Sequence, residues 1–289
     1  MKKGGIITLS IIAIIVALIG ILFGAVFCLR TQTVTILGDS AIALTKEDIV
    51  SSAGLKNGQS IFMIDKDEAI NKIEATYPYV KVVQIKTTSV TEIDIRIRAR
   101  HDMCYTKYNN NYYIMDEEFK VLNVIEANAE DEENNELTNL IHIEEGVLNV
   151  NSSTMICDFV GTEYQKSVMY ELYTSMITTV TKTEGYGENT KEVYLSRLDV
   201  CDLLEDIQFE EYETFNKIII TTKYGVKLDI ENPNEDLQNK INICFSTIKS
   251  LIEEGKDREK SGTIRIYYDL ENNQKCVYIQ EDIEIPQIE

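Results

Sequence analysis

The stretch IITLSIIAIIVALIGILFGAVFCL, residues Ile6–Leu29, determines how the whole chain is organised. It contains no charged residue, and at a helical rise of about 1.5 Å per residue its 24 residues reach roughly 36 Å. Such a helix can cross a hydrocarbon core of about 30 Å with some tilt. The sequence therefore predicts a single transmembrane helix over residues 6–29.

The charges that flank this predicted helix indicate its orientation. Lys2 and Lys3 precede it and Arg30 follows it, so the positive-inside rule places the tail of residues 1–5 in the cytoplasm. A cleaved signal peptide is the alternative, but its apolar region is usually only about 7–15 residues long and ends in small residues. The length of the run and the position of Phe27 favour an uncleaved anchor, with the rest of the chain outside the cytoplasm.

Two glycines inside the run suggest a second role for the helix. Gly20 and Gly24 have the Gly-x-x-x-Gly spacing at which two membrane helices can pack closely. The alternative is that glycine is simply frequent in such helices. The pair predicts at most a weak self-association.

The composition of the remaining chain is acidic. The sequence holds 28 basic and 48 acidic residues; three of the basic ones lie in the first 30 positions, so the remainder has a formal net charge of −23. This charge repels nucleic acids and anionic lipid surfaces, so both are poor partners. Well over 200 residues beyond the helix indicate two domains.

Cysteine and histidine usage argues against a metal site. The cysteines beyond the predicted helix are widely spaced, and the histidines number two, His101 and His142. With no Cys-x-x-Cys pair, neither a zinc site nor a disulfide framework is expected. Buried free thiols are predicted, without cofactor or metal, for Cys104, Cys157, Cys201, Cys244 and Cys276.

Residues 33–101 have the pattern of a small α/β domain. A strand over Val34–Ile36 precedes a helix for which Thr45 and Asp48 supply a capping box. Asp65 and Glu68 are placed to cap a second helix, which Pro78 prevents from continuing. Strands from Val80 and through residues 93–97, where isoleucine alternates with charge, follow. The predicted order is β-α-α-β-β.

The motifs of this segment resemble the POTRA domain of the FtsQ/DivIB family of bacterial cell-division proteins. They are Val34-Thr35-Ile36-Leu37-Gly38-Asp39, Leu44-Thr45-Lys46-Glu47-Asp48-Ile49, Gly58-Gln59-Ser60-Ile61-Phe62 and Tyr77-Pro78-Tyr79-Val80-Lys81-Val82-Val83. Tyr112-Tyr113-Ile114-Met115-Asp116 is similar to the family's entry into its second, β domain. Two departures are Ala99-Arg100-His101-Asp102, without the family's proline, and Asp116-Glu117-Glu118-Phe119, without its glycine.

Residues 102–280 are predicted to form that β domain, with a mixed sheet and two packing helices, followed by a short tail over 281–289. One helix is capped by Thr162 and Gln165, and the other begins at Pro233-Asn234. Residues 126–136 read as a solvated acidic loop. The predicted strands are 193–195, 217–222, 226–230, 263–268 and 275–279.

The resemblance implies partner binding at the end of the β domain. In the family this region docks coiled-coil division proteins of the FtsL and FtsB/DivIC type. The matching positions here are Lys275, Cys276, Val277, Tyr278 and Ile279, on a strand whose free edge can accept an extended segment. An ordinary edge strand protected by Glu281 and Asp282 is the alternative. The edge strand Val34, Thr35 and Ile36 of the POTRA-like domain is the second candidate surface.

A cell-envelope enzyme is the competing class of function. Ser246-Thr247-Ile248-Lys249 spells the Ser-x-x-Lys of penicillin-interacting transpeptidases, but their Ser-Asp-Asn and Lys-Thr-Gly motifs are absent from the sequence. Carboxylates for glycan cleavage are plentiful, yet no pair is singled out. A transmembrane sensor would need an intracellular reporter domain, which five residues cannot form.

The sequence thus predicts an α+β protein with one transmembrane helix, a POTRA-like domain and a mixed β-sheet domain. The expected function is that of a non-enzymatic scaffold in the cell membrane at the division septum. Through FtsL-like and FtsB/DivIC-like partners it would regulate septal peptidoglycan synthesis. No catalytic residue is assigned.

Overall fold

The computed structural model describes residues 3–38, 43–127, 137–253, 262–269, 271 and 273–280, and in the first helix only the side chains of residues 11–21 and 26. The chain divides into two compact units, Met1–Arg100 and His101–Glu289. The expected acidic loop lies almost entirely outside the described residues, as do Glu281, Asp282 and the rest of the predicted tail.

The first unit begins with helix α1, Lys3–Val26. Gly20 and Gly24 both lie in this helix, and a Cβ atom on Gly20 would meet open space. Within the described residues, none of the helices is both long enough and apolar enough to span a membrane. The predicted transmembrane helix over residues 6–29 is therefore not confirmed. Its predicted end is also three residues too late, since α1 ends at Val26.

The rest of the first unit has the predicted β-α-α-β-β order. Its elements are β1 (Thr31–Ile36), α2 (Lys46–Ser52), a 3-10 turn (Ile61–Met63), α3 (Lys66–Thr76), β2 (Val80–Ser89) and β3 (Glu92–Ala99). The sheet order is β1-β3-β2, with β1 parallel and β2 antiparallel to β3. The central strand therefore comes last in the sequence, and β1 lies at an edge.

Local capping sets where the two short helices begin. Thr45 and Asp48 form the predicted capping box of α2, which satisfies two backbone donors at once. Asp65 accepts the backbone N–H of Glu68 at the start of α3, but the Glu68 carboxylate pairs with Lys72 one turn later, at 2.6 Å. The predicted reciprocal role of Glu68 is thus replaced by a surface ion pair.

One apolar core lies between this sheet and its helices. Ile93, Ile95 and Ile97 of β3 are at most 1 % exposed, as alternation along a half-buried strand predicts. Leu29 is also fully buried in this core. The sequence pattern predicts Leu29 at the end of the membrane helix. The structure corrects this prediction, because Leu29 belongs to the core of the folded unit.

The second unit is built on a nine-stranded mixed sheet. Its strands are β4 (Cys104–Tyr108), β5 (Asn111–Met115), β6 (Val121–Glu126), β7 (Ile141–Ile143), β10 (Leu204–Glu211), β11 (Asn216–Thr222), β12 (Val226–Glu231), β13 (Gly262–Tyr268) and β14 (Gln274–Gln280). Their order is β14-β13-β12-β11-β10-β7-β4-β5-β6. The pairs β4/β7, β7/β10 and β12/β13 are parallel.

Helices pack against one face of this sheet. They are α4 (Glu163–Thr179), α5 (Arg197–Leu203) and α6 (Leu237–Glu253), and a two-stranded ladder of β8 (Thr181–Glu184) and β9 (Lys191–Tyr194) accompanies them. Thr162 and Gln165 cap α4 as predicted. Helix α6 begins at Leu237, later than the predicted Pro233, and α5 was not predicted. The prediction of two packing helices therefore missed one short helix.

The turn between β5 and β6 forms without a glycine in the segment of residues 116–119. Phe119 adopts a left-handed conformation, with φ of 55°, and is fully buried. The carboxylate of Asp116 accepts the backbone N–H groups of Glu118 and Lys120 at 2.9 and 3.0 Å. Core packing of the Phe119 ring and these hydrogen bonds together offset the energetic cost of the left-handed conformation, which glycine would adopt without that cost.

Candidate partner-binding edges

Strand β14 lies at one end of the nine-stranded sheet. It pairs antiparallel with β13, from Gly262 opposite Gln280 to Tyr268 opposite Gln274, without a register shift. Its other side has no neighbouring strand within the described residues. The five residues predicted to bind partners, Lys275–Ile279, therefore lie on a true edge strand.

The hydrogen-bond alternation of the hairpin shows which backbone groups of β14 point outward. The N–H of Asp269 donates to the carbonyl of Asn273 at 3.0 Å, which makes this a hydrogen-bonded pair. Because such pairs alternate along an antiparallel ladder, the backbone groups of Lys275, Val277 and Ile279 point towards β13. Those of Cys276 and Tyr278 point away from the sheet, where an added strand would pair.

The side chains of β14 divide between the two faces of the sheet. Val277 and Ile279 are 39 and 47 % exposed on the face that lacks helices. Cys276 and Tyr278 face α6: the Cys276 thiol lies 4.0 Å from the Thr247 hydroxyl, and Tyr278 packs against the main core. An added strand would thus meet apolar side chains on the open face.

Next to the apolar pair, the open face carries a network of charges on β11, β12 and β13. Arg265 donates to Glu231 at 2.9 Å and lies 3.6 Å from Asp229, and Lys217 lies 3.8 Å from Asp229. The hydrogen bond to Glu231 raises the pKa of Arg265, and burial raises the pKa of Asp229. These opposite charges largely neutralise one another, so apolar contact and backbone pairing remain the main attractions at β14.

The turn of the β13–β14 hairpin is held by side-chain contacts. Asp269 accepts the backbone N–H of Asn273 at 2.8 Å, and its other carboxylate oxygen lies 3.4 Å from Lys275 Nζ. Hydrogen bonding to the Asn273 backbone lowers the pKa of Asp269. The start of the candidate edge is therefore fixed in place by its own turn.

Strand β1 offers a second edge, in the first unit, and its outer side has no neighbouring strand among the residues that the structure describes. The N–H of Thr31 and that of Leu37, just after the strand, donate to the carbonyls of Thr91 and Ile97 at 3.1 and 2.8 Å. Since bonding residues alternate in a parallel pair, Thr35 also faces β3. The backbone groups of Val34 and Ile36 then point outward, so two of the three predicted residues can pair with an added strand.

A carboxylate stiffens this edge. Asp94 on β3 accepts hydrogen bonds from the hydroxyls of Thr33 and Thr35 at 3.0 and 2.8 Å and from Arg96 at 3.0 Å. Burial raises the pKa of Asp94, but hydrogen bonds from Thr35, Arg96 and Thr33 outweigh it and leave the pKa below its ordinary value. The ionised carboxylate of Asp94 thus links β1 to β3, the central strand of the sheet.

The Ser-x-x-Lys sequence lies on the second half of α6. The ammonium of Lys249 contacts Glu192 of β9 at 2.8 Å, and both side chains are exposed. This hydrogen bond raises the pKa of Lys249. A lysine that activates Ser246 as a base would have to lose its proton, so this arrangement does not favour transpeptidase chemistry.

The cysteines differ in their surroundings. Cys104, Cys201 and Cys244 are buried free thiols, as predicted, whereas Cys276 is exposed and Cys157 is half-buried. Burial raises the pKa of Cys201 to about 11 and also raises the pKa values of Cys104 and Cys244. Within the described part of the chain, no group of acidic, histidine or cysteine side chains is arranged to hold a metal ion.

Two residues that shape the main candidate edge were missed from the sequence. Gly262 lies beneath the Tyr278 ring, and an isolated glycine next to a predicted strand is a signal of such close approach. Lys240 is fully buried on α6, and its ammonium donates to the carbonyls of Glu231 and Asn232 at 2.9 and 2.8 Å.

Comparison with known proteins agrees with the architecture of the first unit. Residues 29–100 match the family described as POTRA domain, FtsQ-type. The chain is 28 % identical over 111 residues to the cell division protein DivIB of Clostridium botulinum, an alignment that covers 37 % of this chain and 41 % of that relative. The match thus spans about two fifths of the relative's length. The predicted resemblance to the FtsQ/DivIB family of cell-division proteins is confirmed.

Proposed function

We propose that this chain is a non-enzymatic scaffold of the bacterial division machinery that binds its partners by adding their segments to β14. The match to the FtsQ-type POTRA domain and the similarity to DivIB support this general class of function. The observation that carries the mechanism is the position of β14 at the end of the sheet, with the backbone groups of Cys276 and Tyr278 directed outward.

The partners proposed for this edge are small coiled-coil division proteins of the FtsL and FtsB/DivIC type. An extended segment that flanks such a coiled coil would pair with Cys276 and Tyr278 through its backbone. Val277 and Ile279 would then gain apolar cover on the open face. Backbone pairing supplies affinity and the alternate side chains supply specificity in this mode of binding.

The proposed location is the cell membrane at the division septum. Helix α1, which ends at Val26, would anchor the chain, with residues 1–5 in the cytoplasm and both folded units outside it. Held there, the scaffold would position its partners and so regulate septal peptidoglycan synthesis by separate enzymes. The β1 edge at Val34 and Ile36 would serve recruitment at the first unit, and Gly20 and Gly24 would allow weak self-association.

A proline test separates backbone pairing from other modes of contact. Cys276→Pro removes an outward N–H and leaves every bond to β13 in place, which edge strands tolerate. Cys276→Ser is the matched control, because it changes the same side chain and keeps the N–H. Tagged full-length variants are purified from membranes, and the co-purified small coiled-coil proteins are quantified.

We expect Cys276→Ser to retain the partners and Cys276→Pro to lose most of them. Val34→Pro, compared with Val34→Ala, examines the β1 edge in the same way. Circular dichroism of each purified variant checks that the sheet is intact. Full partner recovery with a folded Cys276→Pro variant would refute docking at β14, and recovery of a soluble substrate in place of coiled-coil proteins would favour an enzyme.

A further inference from the structure

The 3-10 turn of the first unit exposes two large apolar side chains. Phe62 is 71 % and Met63 84 % exposed, whereas Ile61 beside them is buried in the core. Single exposed apolar residues are common on protein surfaces, but adjacent ones at such exposure form a patch that favours contact with an apolar phase. The position of the turn relative to α1 indicates which apolar environment these side chains contact.

The turn is bonded directly to the end of α1. The N–H of Ile61 donates to the carbonyl of Phe27 at 2.9 Å, and the Phe27 and Phe62 ring centres lie 5.1 Å apart. Leu29 and Gln59 are joined by a further backbone bond of 2.8 Å. Phe27 immediately follows the last residue of α1, so Phe62 lies at the level of the helix end.

The tip of the β2–β3 hairpin lies at this same end of the unit. The N–H groups of Arg30 and Thr31 both donate to the carbonyl of Thr91, at 2.8 and 3.1 Å. Val90, next to Thr91 at the tip, is 49 % exposed. Three exposed apolar side chains from two separate loops thus lie at the end of the folded unit where α1 leaves it. We call Phe62, Met63 and Val90 the basal patch.

We propose that the basal patch inserts into the interface of the lipid bilayer and fixes the orientation of the first unit on the membrane. The proposal rests on the proposed function, because it requires α1 to be the membrane anchor. If Phe27 lies where the anchor leaves the hydrocarbon, its bond with Ile61 and the bonds of Arg30 and Thr31 to Thr91 hold the patch at the same depth. Aromatic and long apolar side chains are favoured at this depth.

Such insertion would have a consequence for the scaffold. A single helix leaves the attached domain free to tilt, but a second attachment beside it restricts the tilt. Strand β1 starts at Thr31, next to the patch, and runs away from it. A fixed base would therefore hold the β1 edge upright above the bilayer and present Val34 and Ile36 at a constant height.

The absence of tryptophan from the sequence makes a direct test possible. Three full-length variants, each with one tryptophan, are reconstituted into phosphatidylcholine vesicles, whose lack of net charge avoids repulsion of this acidic chain. Phe62→Trp reports on the patch. Tyr79→Trp is the matched aromatic control: Tyr79 is 41 % exposed and precedes β2 at the end opposite Val90, roughly 30 Å away. Leu18→Trp reports on the anchor.

The measurement is quenching of tryptophan fluorescence by lipids brominated close to the headgroup or deep in the acyl chain. We expect Phe62→Trp to show blue-shifted emission and preferential quenching by the shallow bromines, and Tyr79→Trp to show neither. Leu18→Trp should be quenched by the deep bromines. Quenched Leu18→Trp with unquenched Phe62→Trp would overturn the inserted patch alone, whereas unquenched Leu18→Trp would overturn the anchor and the patch together.

Discussion

The ring of Tyr278 on β14 covers Gly262 on β13, where a Cβ atom added to the glycine would lie 2.4 Å from the phenol oxygen. The two residues belong to the hairpin that carries the candidate edge, and Tyr278 otherwise packs against the main core. Gly262 therefore leaves the space that the Tyr278 ring occupies, and the packing of this ring stabilises the edge strand β14 on the sheet. Packing of an aromatic ring over a glycine on the neighbouring strand is a way in which the two residues stabilise a sheet.

The first prediction is that Gly262→Ala loosens β14. The methyl group would push the Tyr278 ring off the sheet, at a cost of about 1 kcal/mol in the free energy of unfolding. In a Tyr278→Ala background the same substitution should cost much less, because the conflict is gone. Denaturant unfolding of the wild type, the two single variants and the double variant measures this coupling. Equal costs in both backgrounds would show that the ring does not depend on Gly262.

The second prediction concerns the buried ion pair of the first unit. Arg100 donates to Glu74 at 2.9 Å, with side-chain exposures of 2 and 13 %. Arg100→Met should leave a buried carboxylate without this partner and cost about 3 kcal/mol. Lys72→Met, which breaks an exposed pair with Glu68, should cost less than about 1 kcal/mol.

Amide hydrogen exchange over β2 and β3 distinguishes these two variants. Exchange should accelerate strongly in Arg100→Met and hardly at all in Lys72→Met. Glu74 also accepts the N–H of Val82 at 2.8 Å, so the first protection lost should be near the start of β2. Similar exchange in both variants would contradict a structural role for the Arg100 pair.

The third prediction is an acid sensitivity of the β1 edge. The folded-state pKa of Asp94 is lowered, relative to an unfolded value of about 3.9. The folded state then binds fewer protons, so its contribution to stability is present above pH of about 4 and is lost as the pH falls through the folded pKa. Asp94→Asn should remove this pH dependence.

Hydrogen exchange of β1 at a series of pH values, corrected for intrinsic rates, measures the effect. The wild type should lose protection on acidification at the amides of Thr33 and Thr35, which face β3, and Asp94→Asn should show weak protection throughout. Parallel curves for the two proteins would mean that the bonds to Thr33 and Thr35 do not hold the edge.

Local sequence signals, which involve residues close together in the chain, predict much of the fold. The capping boxes at Thr45 and Thr162 and the alternating isoleucines of β3 each depend on neighbours in the sequence. Helix α5 has the same signal, with Ser196 and Asp199 forming its capping box. It was missed because the helix has only seven residues and continues directly into β10, so its apolar period is too short to recognise.

Features that depend on distant pairing could not be predicted in this way. The three-residue strand β7 lies between β10 and β4 although it is remote from β10 in sequence. Leu29 continues the apolar run of α1, and its burial in the core and its backbone bonds with Gly58 and Gln59 assign it to the folded unit. An apolar residue at the end of a helix is equally consistent with membrane and core.

The candidate edge at β14 was located from sequence order and from the resemblance. Two consecutive strands that are separated by a short turn can form a hairpin, and the outer strand has a free side unless another strand covers it. The details that decide its chemistry needed the structure. The backbone groups of Cys276 and Tyr278 point outward because these residues belong to the non-hydrogen-bonded pairs of the β13–β14 ladder. No single residue of the sequence indicates which pairs of the ladder are hydrogen-bonded.

The fourth prediction uses the exposed thiol on the candidate edge. Cys276 should react first with a fluorescent maleimide, since burial raises the pKa of Cys201, Cys244 and Cys104 and shields their thiols. Cys276→Ser should remove the fast phase of labelling, and unfolding in denaturant should expose all six cysteines. If a partner segment pairs with β14, it covers this thiol, so the fast phase in the wild type should slow when the partner is bound. Unchanged labelling in the purified complex would place the partner elsewhere on the molecule.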